Sequence, residues 1–276
     1  MSAAGQAAAK PTRRPVRRRI LRGIGWTLLA LLVVIGGLLL WALNSESGAR
    51  FVLARVQSAL DDKLVIGHSS GSLSGPLVLD DLRYADAAAG IDARMGRISL
   101  DPVILALLGG RVELDEVLAD DVDVALSTVA EKPEDSSSGF SLTAPIDILI
   151  NKLALQRATI KSDGKPILLV DRLDLVGAWT GVGVLVKQMD LHSPDGSVNL
   201  TGNLGTIGGY SGSGETTFSW RTGETDIAGA LTSRSDGKQA RIELHLARPT
   251  PATATITIEQ DAKATWDLVL DVPGFD

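Results

Sequence analysis

One short glycine- and serine-rich segment comes near to a catalytic motif. Residues 67–71 (GHSSG) match G-x-S-x-G, the pattern that places a nucleophilic serine on a sharp turn between a strand and a helix. The residues before it, Leu64–Ile66, have the character of a strand, but Gly71–Pro76 lead into a second strand. Because the motif needs a helix after the serine, we interpret the segment as a glycine- and serine-rich β-turn.

Other ionisable side chains are too scattered to form a recognisable site. The three histidines are far apart and none has a partner at metal-ligand spacing: His68, His192 and His245. Three acidic pairs offer oxygen atoms to Ca²⁺, but no EF-hand loop surrounds them, and we interpret them as solvated turns and bulges: Asp61-Asp62, Asp80-Asp81 and Asp120-Asp121. There is no cysteine, P-loop or G-x-G-x-x-G. The sequence predicts no catalytic, cofactor or metal site, and no enzyme.

The strongest pattern is an apolar repeat. Five stretches carry apolar residues at i, i+2, i+5 and i+7 around a mostly polar pair, and they begin at Leu77, Val112, Ile148, Leu168 and Val184. A strand alternates faces with period two, so the three-residue step would send its second half to the opposite face. A β-bulge at the polar pair removes this conflict, since two residues then oppose one partner and both halves stay on one side.

Repeated bulges determine the predicted architecture. They are expected at five pairs: Asp80-Asp81, Asp115-Glu116, Asn151-Lys152, Asp171-Arg172 and Lys187-Gln188. A bend in strand after strand curves a sheet into a trough, so we predict a mainly β fold with an elongated, repetitive, curved sheet that forms a groove. The alternative is an ordinary β-sandwich. The groove-lining candidates are the inward apolar positions of the repeat: Leu79, Leu82, Leu114, Val117, Ile150, Leu153, Val170 and Leu173.

A long apolar segment precedes the β-rich region. Residues 24–43 (IGWTLLALLVVIGGLLLWAL) carry no charge, and 20 helical residues cover about 30 Å, the thickness of a hydrocarbon core. Trp26 and Trp41 lie near its ends, where indole rings prefer the headgroup level. The segment is longer than the apolar part of a signal peptide and has no A-x-A-like cleavage site. We therefore predict an uncleaved transmembrane signal anchor at 23–45.

The rest of the chain divides by composition. Residues 1–22 form a basic tail that is expected to stay in the cytoplasm, so that the body is delivered across the membrane. Ser47 is expected to cap a short amphipathic helix over Gly48–Leu60, and a helical turn is expected over 103–108, after Pro102. The predicted units are a first β unit at 46–130, a flexible loop at 131–140 and a continuing β-repeat region at 141–276.

The charge balance limits the partners. The chain has 27 basic and 33 acidic residues; seven basic residues precede the anchor, which leaves 20 against 33 in the body. An acidic body is a poor nucleic-acid binder, because phosphate contacts need clustered Lys and Arg. It also does not lie flat on an anionic membrane.

The order of these segments resembles the N-terminal part of the TamB family, the inner-membrane component of the bacterial translocation and assembly module in the wider AsmA-like group. The resemblance begins with the basic tail, the anchor and Ser47-Gly48-Ala49-Arg50. It continues through residues 71–84 (GSLSGPLVLDDLRY) and Ile98–Leu126 with Gly110-Arg111, and covers residues 20–126 well. It implies a single-pass protein of the bacterial inner membrane with its body in the periplasm, and a role in outer-membrane biogenesis.

Two functions follow as expectations. The first is phospholipid transport between the inner and outer membranes, in which acyl chains travel in the apolar trough. The alternative is a scaffold that helps to insert or secrete outer-membrane β-barrel proteins such as autotransporters, through exposed strand edges. The resemblance also implies an outer-membrane barrel assembly protein as partner, through a C-terminal domain that this chain stops before, so a piece of a longer product is expected.

Overall fold

A computed structural model of the chain describes residues 33–34, 36–38, 40–60, 63–127, 143–144, 146–207, 209–259 and 265–273. The predicted tail at 1–22, the loop at 131–140 and most of the predicted anchor, including Trp26, lie outside the described residues. Trp41 is helical and about half exposed. Within the described ranges, no helix is both long enough and apolar enough to cross a membrane.

Thirteen strands form one long, open, curved sheet, in the order in which they occur in the sequence. Their bounds are β1 Leu64–Gly71, β2 Leu77–Asp86, β3 Ile91–Pro102, β4 Arg111–Leu126, β5 Asp147–Ser162, β6 Lys165–Thr180, β7 Gly183–Ser193, β8 Gly196–Gly205, β9 Ser211–Thr222, β10 Thr225–Asp236, β11 Gln239–Arg248, β12 Ala252–Glu259 and β13 Thr265–Asp271. All neighbours are antiparallel except β4 and β5, which are parallel. Parallel strands need a long connection, and β4 ends at Leu126, well before β5 begins at Asp147.

The mainly β prediction is confirmed, and the sandwich alternative is wrong. A sandwich needs two sheets stacked face to face, whereas all thirteen described strands belong to one sheet. The burial pattern agrees with a single layer, because no large side chain in the described part of the chain is buried completely. Most inward apolar side chains keep part of their surface exposed.

Besides the helical residues before Ser45, the described part of the chain contains α1 Glu46–Ala59 and α2 Ile104–Leu108, which connects β3 to β4. Both were expected, but the predicted cap of α1 is wrong. The cap is Ser45, whose Oγ accepts a hydrogen bond from the Gly48 backbone N–H at 3.0 Å. Ser47 lies inside the first turn, and its Oγ is 3.2 Å from the Oγ of Ser45.

At each polar pair of the repeat the strand contains one extra residue before its next inward-facing side chain. The structure accommodates this residue in two ways. At Asp115-Glu116, Asn151-Lys152 and Lys187-Gln188 the register shifts by one residue against an antiparallel neighbour, so the predicted bulges are confirmed. At Asp80-Asp81 and Asp171-Arg172 the register does not shift. A bulge is therefore wrong at these two pairs.

The second mechanism is a kink shared by neighbouring strands. Asp81, Asp121 and Arg157 have φ between 54° and 55°, a left-handed conformation that costs a residue with a Cβ roughly 1–2 kcal/mol. The pairing on either side places Gly67 and Gly96 beside Asp81, and Gly96 and Arg157 beside Asp121. Because each strand takes its extra residue at the same level, the strands change face together and remain in register.

Candidate functional site

The inward face of the sheet carries two uninterrupted rows of uncharged residues. Residues directly opposite one another on neighbouring strands share a face, so each row can be followed through the pairing. The first row crosses twelve strands: Leu77, Leu100, Val117, Leu153, Leu175, Met189, Leu200, Thr216, Leu231, Leu244, Ala254 and Leu270. At about 4.8 Å per strand it extends for roughly 50 Å.

The second row runs beside the first, two residues along each strand. It comprises Leu79, Ile98, Ala119, Leu155, Leu173, Leu191, Val198, Phe218, Gly229, Leu246 and Ala252. Neither row contains a charged side chain, and Thr216 is the one hydroxyl in them. The two rows form an apolar stripe across most of the sheet, which we call the groove.

All eight predicted lining residues lie on the groove face. Val117 and Leu153 belong to the first row, and Leu79 and Leu173 to the second. Leu114 and Ile150 lie directly opposite each other, and Leu82 and Val170 are the ends of a third row through Met95, Val122 and Ala158. Leu79, Val117 and Val170 are buried, whereas the other five are half-buried. Sequence analysis placed a continuing β-repeat region at 141–276 but named no lining residue beyond Leu173, whereas both rows continue through β7 to β12.

The groove is covered at its N-terminal end. Ala49 of α1 is 1% exposed and packs with Leu77 and Leu79, and Leu53 of the same helix adds to this cluster. Ile98 and Leu100 of β3 also contact it. Helix α1 therefore occupies the inward face of β1 to β3, and the uncovered part of the groove begins at β4.

A cleft lies beside the first row, between β7 and β11. Its volume is about 370 Å³, within the range of roughly 300–1,000 Å³ that is typical of small-molecule sites. Its apolar lining is Val184, Val186, Leu200, Leu204, Ala240 and Ile242. Three glycines also line it: Gly202, Gly212 and Gly214. They allow the strands to approach closely, because a Cβ at Gly202 or Gly212 would lie 2.7 or 2.0 Å from a backbone oxygen of the neighbouring strand.

The outward face is charged, most densely on β4 and β5. Lys152 Nζ donates to Glu116 at 2.5 Å, and Asn151 Nδ2 donates to Asp115 at 2.8 Å. Arg157 donates two hydrogen bonds to the Asp121 carboxylate, at 2.6 and 3.0 Å, and these hold the pKa of Asp121 below its usual value. Four acidic side chains of β4 thus face cationic or amide side chains of β5, and Lys161 donates to Asp123 in the same way at 2.5 Å.

The residues considered as catalytic or metal-binding candidates lie in strands of the sheet and do not form a site together. Residues 67–71 lie inside strand β1 and not in a turn, so Ser69 occupies a strand position with no helix after it. The three histidines are exposed on three separate strands: β1, β7 and β11. In the described residues, no group of three His, Asp or Glu side chains is arranged to hold a metal ion.

Comparison with known proteins finds a match for the N-terminal half of the chain. The family model described as TamB, N-terminal domain, matches residues 34–169, the segment from the end of the predicted anchor into β6. No curated protein and no solved structure matches the chain.

Proposed function

Through residues 34–169 the chain belongs to the TamB N-terminal domain family, and we propose that it moves phospholipid between the inner and outer membranes. In this proposal an anchor at 23–45 holds the chain in the bacterial inner membrane, and the groove lies in the periplasm. The groove is a surface for binding and transfer and not a catalytic one. Acyl chains lie along the apolar rows, and polar headgroups stay in water.

The observation that carries the proposal is the length and continuity of the uncharged rows. Each methylene group removed from water contributes about 0.8 kcal/mol, so a saturated chain is held along the stripe without a specific polar contact. Uniform apolar rows also let a chain slide, because every neighbouring position offers similar contacts. Soluble proteins rarely expose an apolar face of this extent unless it binds a partner or a lipid.

Exposed apolar residues at the N-terminal end support the anchoring. Val33, Val34, Leu38 and Leu40 are helical and between 58% and 65% exposed. Side chains of this kind are stable in contact with lipid and unfavourable in water. Proteolysis of intact spheroplasts tests the topology: the body should be degraded and the N-terminal tail protected. Protection of the body would contradict the anchor.

A second candidate function rests on strand β13. This strand pairs with β12 on one side, and its side chains Trp266, Leu268 and Leu270 are about half to three-quarters exposed. Among the described strands β13 lies at an edge of the sheet, and an edge with apolar side chains can accept another strand, which favours a scaffold for outer-membrane β-barrel proteins. Site-specific crosslinking from Trp266 should capture an unfolded barrel protein if this role holds. Lipid alone at that position would favour the conduit.

The lipid proposal is tested by mass spectrometry of lipids that co-purify with the detergent-extracted chain. Val186 faces the cleft, whereas its neighbour Leu185 points to the outward face and is 38% exposed. Val186→Asp should remove most of the bound phospholipid, because it places a carboxylate on the apolar lining of the cleft, beside the first row. Leu185→Asp is the matched control and should retain it. Equal lipid in the two variants, or none in the unmodified protein, would overturn the proposal.

A further inference from the structure

Helix α2 and its flanks form an exposed apolar tip on one rim of the sheet. Residues 103–110 (VILALLGG) contain no polar side chain. Ala106 is 6% exposed and packs towards the sheet, whereas Leu105 is 77% and Leu107 is 49% exposed. Two leucines therefore project from the folded body where water would disfavour them.

This tip lies next to the exit of the proposed anchor. The Ser74 backbone N–H donates to the Leu43 carbonyl at 2.9 Å, and Ser74 Oγ donates to Asn44 Oδ1 at 2.7 Å. These bonds tie the β1–β2 turn to the last helical residues of the proposed anchor. Helix α2 leaves β3 from the same rim, because Leu77 at the start of β2 pairs with Leu100 near the end of β3. Two strand spacings, about 10 Å, separate the turn from α2.

The tip also lies at the boundary between the covered and the uncovered part of the groove. Helix α1 covers the inward face of β1 to β3, and α2 is the connection into β4, where the uncovered face begins. Its first turn is fastened to that strand, since the Val103 backbone N–H donates to the Glu113 carbonyl at 2.8 Å. A lipid that entered the groove beside the anchor would therefore pass α2.

We propose that α2 is a membrane-contacting lip, whose residues Leu105 and Leu107 insert into the periplasmic leaflet of the inner membrane and guide acyl chains into the groove. This inference rests on the proposed anchoring and lipid transport. The occupant is a phospholipid surface, because the exposed leucines lie beside the segment that leaves the membrane. The acidic body does not prevent this contact, since only the uncharged tip enters the leaflet.

The test uses the full chain, which contains no cysteine, so that one introduced cysteine carries one probe. Leu105→Cys is labelled with an environment-sensitive fluorophore, and the protein is reconstituted in vesicles of phosphatidylethanolamine and phosphatidylglycerol that contain a doxyl-labelled phospholipid. Two control positions are similarly exposed. Ile207, 71% exposed, lies on the same rim about 25 Å away, and Ile167, 62% exposed, lies at the opposite rim near the start of β6.

The expected result is quenching at Leu105→Cys several times stronger than at Ile207→Cys and Ile167→Cys. Flotation of the vesicles distinguishes the two ways of failing. If the protein floats with the vesicles but the probe at position 105 is quenched no more than the controls, the lip is overturned and the anchor stands. If the protein does not float, the anchor fails and the lip fails with it.

A second variant tests the guiding role. Leu105→Asp with Leu107→Asp keeps the buried Ala106 and should leave the circular dichroism spectrum unchanged. It should load labelled phospholipid from donor vesicles severalfold more slowly than the unmodified chain. An unchanged loading rate would overturn a role of the lip in lipid entry.

Discussion

The same valine-to-aspartate change should have different consequences in the packed and the open parts of the groove. Val170 is 5% exposed and packs with Ala119, Val122 and Ala158. Val186 is half-buried and borders the cleft. Both valines lie on the inward face of neighbouring strands, so the change in chemistry and strand context is closely matched. The two sites differ in whether a new carboxylate can reach water.

The magnitudes follow from burial. Val170→Asp loses about 1.5–3 kcal/mol of apolar burial and leaves a polar group without a partner, which costs roughly 1–3 kcal/mol more. The total, about 2.5–6 kcal/mol, is a large fraction of the roughly 5–15 kcal/mol that stabilises a typical domain. Val186→Asp loses part of the apolar term, about 1 kcal/mol, because its carboxylate stays solvated in the open cleft.

Thermal melting of the β-sheet circular dichroism signal measures the difference. At roughly 2–4 °C per kcal/mol for a protein of this size, Val170→Asp should lower the melting temperature by about 10 °C. Val186→Asp should lower it by no more than about 4 °C. Equal losses would refute the reasoning, because they would mean that the face at β7 is as closed as the face at β6. Leu185→Asp, on the outward face of β7, controls for aspartate in that strand.

Three further predictions concern other parts of the sheet. Leu114→Asp with Ile150→Asp should leave the melting temperature within a few degrees and abolish co-purified phospholipid. The reason is that both half-buried side chains face the groove, where a carboxylate stays solvated. Unfolding of this variant would show that the two side chains belong to a packed core. Asp121→Asn should destabilise the protein at pH 7. The hydrogen bonds from Arg157 lower the pKa of Asp121 in the folded protein. The ionised carboxylate therefore stabilises the fold at any pH above the pKa of an aspartate in the unfolded chain, about 3.9. The difference between variant and parent melting temperatures should vanish as the pH falls through the lowered pKa, and a difference that persists in strong acid would contradict this cause. Gly183→Ala should lower the free energy of unfolding in urea by at least about 1–2 kcal/mol. Gly183 has φ 145°, and a Cβ there would lie 2.0 Å from a backbone carbonyl oxygen of β8. Unchanged stability would show that β7 and β8 can move apart.

The face of the apolar residues depends on neighbouring residues and agrees with the structure, whereas the cap of α1, also a local feature, is Ser45 and not Ser47. The eight lining positions share one face because strand alternation and a facing switch at each polar pair are local properties of a chain. The two pairs without a register shift could not be distinguished from the other three. Whether Asp80-Asp81 forms a bulge depends on what the adjacent strand does at the same level, and its neighbours make the same extra step.

The parallel pairing of β4 and β5 could not be predicted from local patterns either. The spacing of the repeats in the sequence nevertheless matches the register of this pair. The repeats at Val112 and Ile148 are 36 residues apart, and these two residues are partners in the parallel pair. Period-two alternation is the same in parallel and antiparallel strands, so it does not give the direction. The complementary charges of Glu116 with Lys152 and of Asp121 with Arg157 stabilise the observed register, a signal that sequence analysis missed.

By itself, the sequence determined the mainly β class, the helix before the sheet and the face on which the apolar residues lie, because periodicity and turn composition act over a few residues. The tertiary structure alone decided that thirteen strands stay in one open sheet. A sandwich and an open sheet require the same alternation, and they differ in whether a second layer covers the inward face. That depends on long-range contacts between distant strands: α1 covers the first three strands, and the rest of the groove remains accessible.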